Sequence, residues 1–568
     1  MLKHVFSRTP ALTIHLFVLS AMSMPILFFP IFVSFIMISL QTGSANERTI
    51  HQASERCYNA AKGKTRFVLL NQGKNRFFNG VINAPQGLYS VDLVEQNGAH
   101  SRHFFHQKTG ENRFRFKATK TQRLKLEFGK AGRYCLKLEN PDIDHQKSTP
   151  APVEDFLSPT LQQLAKTGFQ PDEIRIFWEK IVKAGTPLIE KSEGNERIIT
   201  FLQRGAKQNV FLLGAPSGDH EKLVRLGTTD IWYKSFKVPS DTRFSYQLAV
   251  DVPEIKGTPQ EKRMAISYTV KADPLNLKPH PVDAPDPYNQ ESVVELENAP
   301  AQNWIPAQSR LVSSDNRQAT TENFYISSLK LGNRHKITLY KTKGVTKRGV
   351  GKNGIEPVVL FVFDGEEYQT RVPLPAILDK MVEAQVIAPT IAVFIHNIDR
   401  KSRMQELPGN PDFADFLAFE LLPEIERRMA RKFPPSRIVL AGSSFGGLAA
   451  MTVALRHPDK FGHVLSMSGS FWWSPENGAS EREDYVSRVV AMMPSPPLSV
   501  FLSVGVFEGG HSGGQRSLLD ANRHLFEVLL AKQVPVVYRE YSGGHDYIVW
   551  QGAISDGLMA LFPEISPQ

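Results

Sequence analysis

The chain has 568 residues, 41% hydrophobic and 22% charged, with a formal net charge of +10 at pH 7 and a pI of about 9.3. That composition excludes a disordered chain, and the length exceeds what a single hydrophobic core fills, so about three or four units are expected. The basic residues are spread without a dense run or a nucleic-acid motif, so no nucleic-acid partner is expected. The two cysteines, Cys57 and Cys135, form no CxxC or Cys/His cluster, which argues against a structural metal site.

Lys3 and Arg8 precede an apolar run from Ala11 to Leu40, and the small residues Gly43, Ser44 and Ala45 follow it. Residues 1–45 therefore read as a signal peptide or a membrane anchor. The run exceeds the roughly 7–15 residues of a typical signal core and reaches the ~20 that span a bilayer. On either reading the rest of the chain is expected to be exported. Over residues 46–145, short strands at Thr65–Leu70, Gly87–Leu93, Arg113–Phe116 and Arg133–Leu138 predict a small β-sandwich accessory module. Both cysteines fall inside it. The sequence leaves open whether they pair or remain as two buried thiols.

Asp142–Glu154 is polar and proline-bearing and predicts a linker. Residues 155–290 predict a second β-sandwich-like domain. It opens with helices at Thr160–Thr167 and Glu173–Lys183. Strands follow at Ile198–Gln203, Val210–Leu213, Ile231–Val238, Phe244–Asp251 and Met264–Val270. The proline-rich stretch Asp273–Arg317 predicts an extended connector. From Thr320 strands and helices alternate: Val358–Asp364 and Thr390–Ile395 are apolar strands, and Ile438–Ala441, Val464–Ser468, Leu498–Val504 and Val536–Tyr541 are further strands, with helical patterns between them. Continuous apolar strands alternating with helices predict a mostly parallel sheet covered on both faces. Residues 291–568 are assigned to this α/β-hydrolase domain.

Gly442-Ser443-Ser444-Phe445-Gly446 matches G-x-S-x-G between an apolar strand and a helix, the setting of a nucleophile elbow. Ser444 is the expected nucleophile, and a hydroxyl needs a base to take its proton. His545, in Ser542-Gly543-Gly544-His545-Asp546 after the last strand, holds the expected place of that base. Glu508, after strand Leu498–Val504, is the expected acid that orients the imidazole, with Asp520 as the next candidate inside a helix. The oxyanion hole is expected from the backbone N–H of Phe445 and of Gly365 or Glu366 after strand Val358–Phe363. No cofactor and no protein-bound metal is expected.

The C-terminal half resembles the enterochelin esterases. The resemblance rests on several segments in order. These are Val362-Phe363-Asp364-Gly365; Arg403 with Glu406-Leu407-Pro408; Ala441 to Leu448; Ser468-Gly469-Ser470-Phe471-Trp472-Trp473; and Gly543-Gly544-His545-Asp546 followed by Trp550. The middle domain resembles the family's N-terminal domain through Leu226 to Tyr233, Arg243-Phe244-Ser245-Tyr246 and Asp273-Pro274-Leu275-Asn276. The resemblance implies a serine esterase acting on the trilactone of a catecholate siderophore, a small-molecule substrate that carries its own iron. It also implies that Arg403 contacts the anionic substrate and that Trp232, Trp472, Trp473 and Trp550 pack against catechol rings. With the export segment, it places the reaction outside the cytoplasm, in a periplasm or at a membrane facing it. Two acids, Glu366 and Glu367, stand where the family commonly has an aromatic, beside a site meant for an anion. The alternative is an exported acyl or feruloyl carbohydrate esterase with the β modules as binding units.

Overall fold

The computed structural model describes residues 49–562, apart from 51–53, 71–75, 107, 145–155, 217–219, 307–319, 346–354, 476–483 and 511–515. The expected export segment, residues 1–45, lies outside the described residues. Among the described residues no helix is long and apolar enough to cross a membrane.

The first module is a sandwich of two sheets. One carries Thr49–Ile50, Thr65–Leu70, Gln122–Glu127, Ser90–Glu95 and His100–His106 in spatial order; the other carries Ser54–Ala60, Gly132–Glu139, Phe77–Ala84 and Gly110–Lys117. Strict alternation along Phe77–Ala84 turns Phe78, Ile82 and Ala84 into a core shared with Leu93, Phe116, Leu124 and Leu136. The strand expected at Gly87–Leu93 begins only at Ser90, because Gly87 is turned to φ +94°. Cys57 and Cys135 face each other across paired strands and form a disulfide.

The middle domain opens with helices Pro159–Lys166 and Pro171–Ala184 and continues into two antiparallel sheets. Two expectations fail here. Met264–Val270 is not a strand: Thr258 caps a helix over Pro259–Met264 in a capping box with Glu261, a 3-10 turn follows over Ala265–Tyr268, and only Val270–Lys271 pairs. The connector expected from Asp273 contains the strand Glu291–Glu295, which pairs with Arg243–Val250 and completes the second sheet. The domain therefore extends past the expected boundary at residue 290.

The third domain is an eight-stranded sheet of β1 (Thr320–Ser328), β2 (Asn333–Lys341), β3 (Val358–Val362), β4 (Thr390–Ile395), β5 (Ile438–Ser443), β6 (His463–Met467), β7 (Ser499–Gly505) and β8 (Val536–Tyr541). Their spatial order is β1-β2-β4-β3-β5-β6-β7-β8. Pairing is antiparallel from β1 to β4 and parallel from β4 to β8. The period of two in β3 sends Val359 and Phe361 to one helical layer and Leu360 and Val362 to the other. Both faces are covered, as continuous apolar strands require. The loops at the carboxyl ends of β3, β5, β7 and β8 converge beside the middle domain, which donates Gly214, Ala215, Tyr246 and Gln247 to the cleft between them.

Candidate active site

β5 ends at Ser443, and the chain turns at Ser444 (φ +56°, ψ −123°) into the helix Phe445–Arg456. Such a conformation is strained for a residue with a Cβ and survives only where its surroundings enforce it. They do: the Ser444 N–H donates to the Met467 carbonyl of β6 at 3.0 Å, and its carbonyl accepts from Ser470 N at 3.1 Å. A Cβ at Gly442 would lie 2.6 Å from the Gly446 carbonyl carbon, so strand and helix meet too closely for any other residue. The Ser444 Oγ lies 3.4 Å from the Ser470 Oγ.

His545 sits in the turn after β8, and its Nδ1 is 2.7 Å from Glu508 Oε2. A proton held on that side leaves Nε2 to act as base. Glu508 lies in a 3-10 turn directly after β7 and is 6% exposed. Its Oε1 accepts from Ser468 Oγ at 2.6 Å and Gly505 N at 2.8 Å. The Trp550 indole donates to the same Ser468 hydroxyl at 3.0 Å and stands edge-on to the His545 ring, centroids 4.8 Å apart. Acid and base are thus fixed by a relay running from Trp550 through Ser468. Asp520, the second candidate acid, instead accepts from Ser517 Oγ in the first turn of the helix Leu518–Ala531.

Ser444, His545 and Glu508 share a cleft of about 720 Å³ between the esterase and middle domains. Arg263, Arg371, Arg403, Arg516 and His220 line it against Glu291, Glu508 and Asp546. Arg403 is in place but anchored: Asp364 takes its Nε at 2.6 Å and its Nη2 at 2.8 Å. Burial opposes the guanidinium's charge, and the Asp364 pair more than offsets it, raising the pKa. Trp472 lines the cleft, half-buried beside Phe445.

Other expected residues fall elsewhere. Trp232 is a core residue of the middle domain, packed with Phe201 and Phe244, its indole N–H given to the Ala206 carbonyl. Trp473 is not among the cleft's lining residues; it meets Tyr485 edge-to-face and fills the space over Gly409, where a Cβ would lie 2.6 Å from its ring. Trp550 lines the cleft but is only 4% exposed, so it supports His545 more than it offers a surface. Gly365 cannot serve the oxyanion hole: its N–H already donates to the Ile395 carbonyl at 2.9 Å. The N–H groups of Phe445 and Glu366 make no hydrogen bond among the described residues.

The residues that sequence reasoning passed over are Ser468, Ser470 and Asp546. The first two lie in the Ser468-Gly469-Ser470 segment that carries part of the family resemblance. Asp546, next to the base, accepts from Ile548 N at 3.0 Å and from the backbone N–H of Ser245 in the middle domain. Burial, then the charge of Glu291, pushes its carboxyl up to about 6. Glu291 in turn pairs with Arg371 and accepts from Ser245 Oγ.

The Esterase family matches residues 350–561, and the family "Enterochelin esterase, N-terminal" matches residues 198–305. An iron(III) enterobactin esterase of Yersinia enterocolitica is 31% identical over 332 residues, covering 53% of this chain and 87% of that protein. The chain belongs to the enterochelin esterase family. It is a carboxylic ester hydrolase. Within the family, an iron(III) enterobactin esterase of Dickeya dadantii is 28% identical over 428 residues, 69% of this chain and 94% of that one. An iron(III) salmochelin esterase of Escherichia coli is 29% identical over 415 residues, 67% of this chain and 92% of that one. The crystal structure of enterochelin esterase from Shigella flexneri superposes with a TM-score of 0.52 at 25% identity, covering 68% of this chain and 97% of the other. The Dickeya, Escherichia and Shigella proteins are nearly fully covered, while about a third of this chain extends beyond them.

Proposed function

We propose that this esterase hydrolyses the ester bonds of a catecholate trilactone siderophore such as enterobactin, with the iron carried by the substrate, and that it does so outside the cytoplasm. The observation that carries the reading is the two-domain cleft. The domain matched by the enterochelin esterase N-terminal family closes over Ser444 and His545, and relatives with that pairing are named for iron(III) enterobactin and salmochelin. A cleft of about 720 Å³ falls within the roughly 300–1,000 Å³ of small-molecule sites. Its arginines suit an anionic complex by charge and planar donor geometry.

The geometry supports the following steps. His545 Nε2 takes the Ser444 proton as Oγ attacks a lactone carbonyl, with Glu508 holding the imidazolium that forms. Backbone N–H groups at the elbow, Phe445 foremost, receive the oxyanion. The carbonyl–oxygen bond to the neighbouring serine unit breaks, and His545 returns the proton to the departing alkoxide. Water then repeats the sequence on the acyl-enzyme and frees Ser444.

The apolar run Ala11–Leu40 after Lys3 and Arg8 supports export to a periplasm or anchoring at a membrane facing it. The Cys57–Cys135 disulfide fits an oxidising compartment. Mass spectrometry of products from a ferric trilactone is the test. Wild type is expected to add one water per ester cleaved, and Ser444→Ala to yield none. Intact trilactone alongside cleaved feruloyl esters would replace this reading with the carbohydrate esterase. Fractionation of cells expressing the full chain tests the compartment, and recovery in the cytosol contradicts it.

A further inference from the structure

On the far side of Arg403 lies a second groove, of about 1460 Å³, that the reaction above does not use. All three domains build it, and Arg403 lines both cavities. The first β module supplies one wall with Phe104 and Phe105. The esterase domain faces it with Ile398 and with Arg400, Lys401 and Met404 from the helix Arg400–Glu406. Ile398 and Met404 are 39% and 48% exposed. Arg400 and Lys401 are exposed and form no ion pair among the described residues. Aromatic and aliphatic surface beside unpaired cations is what a negatively charged aryl group needs: apolar contact for the ring and charge for its oxygens.

The module is keyed into place rather than tethered. Asp286 of the middle domain accepts from His103 N at 2.6 Å, the Arg102 guanidinium donates to the Ser267 and Tyr268 carbonyls at 3.3 Å each, and Asn289 donates to the His103 carbonyl at 2.9 Å. On the esterase side Lys108 Nζ lies 2.8 Å from Glu366 Oε2. That contact bears on the two acids that seemed at odds with an anionic substrate. Glu366 is paired by the module's own lysine. Glu367 is buried, and burial followed by the charge of Asp364 pushes its carboxyl up to about 7, so much of its charge is lost near neutrality.

We propose that this groove is an extension of the substrate site: the first β module and the helix Arg400–Glu406 hold an outlying anionic aryl arm while an ester of the same molecule sits at Ser444. The module precedes both family matches, which begin at residue 198. The proposal rests on the siderophore reading and adds a specificity-determining surface to it.

The double variant Arg400→Glu/Lys401→Glu tests it in the full chain. Both residues open a helix capped by Asp399, where acidic side chains favour the helix dipole, so the fold tolerates the change. The ratio of kcat/KM for the ferric trilactone to kcat/KM for 4-nitrophenyl butyrate is expected to fall about tenfold, with the loss in KM for the trilactone. Binding of the ferric trilactone to the same double variant in a Ser444→Ala background should weaken by a similar factor. An unchanged ratio and unchanged binding, in a protein whose wild type cleaves the trilactone, overturn the groove proposal alone. A wild type that leaves the trilactone intact overturns the siderophore reading and this proposal with it.

Discussion

Two buried carboxylates flank His545, and they are treated in opposite ways. Glu508, on the esterase floor of the cleft, accepts three hydrogen bonds, from His545, Ser468 and Gly505. Asp546, against the middle-domain wall, accepts from two backbone N–H groups but faces the charge of Glu291 across the interface. The floor holds every group that reacts and is over-determined by short contacts within one domain. The wall holds none of them, yet it reaches the catalytic loop through Ser245 and lines the cleft that holds Ser444. The reacting groups are therefore confined to one side of the cleft, and variants on the two sides should fail in different ways.

The largest effect is expected on the floor. Ser444→Ala should lower kcat about 10⁴-fold or more on any ester while leaving substrate binding intact; a loss confined to one substrate would break the division. Glu508→Gln keeps the shape but not the charge or tautomer control, and kcat should fall about 10²–10⁴-fold with KM little changed. Ser468→Ala leaves the buried Trp550 N–H without its acceptor and Glu508 with one donor fewer. An orphaned buried donor costs roughly 1–3 kcal/mol, so both the melting temperature and kcat should drop, kcat about tenfold.

The smallest effect lies at the wall. Asp546 titrates near 6 when folded against an ordinary value of 3.8. Between those values the folded protein holds more protons than the unfolded chain, so this group makes stability fall as pH rises from about 4 to 6. Asp546→Asn should flatten the melting temperature over that window relative to wild type. A variant with the wild-type slope would show that the interface does not burden this carboxylate.

Ser444, His545 and Glu508 were legible because each follows the end of a strand, where local pattern alone predicts a loop at the catalytic edge. Gly365 was misread for a long-range reason: its N–H is consumed by the end of β4, a neighbour only once the sheet forms. Trp232 and Trp473 were misread because an aromatic in a motif looks the same whether it faces a ligand or a core; burial behind Phe201 and packing over Gly409 are tertiary facts. The strand Glu291–Glu295 was hidden among prolines that suggest a connector. Asp546 gave no local signal of its role, because its partner is a backbone N–H some three hundred residues away in sequence.

The most direct measurement is active-site labelling by a fluorophosphonate, read by peptide mass, with and without the ferric trilactone. A single adduct on Ser444, formed more slowly when the trilactone is present, is the predicted result. Absence of an adduct, an adduct on another serine, or labelling that the trilactone does not slow would contradict the account.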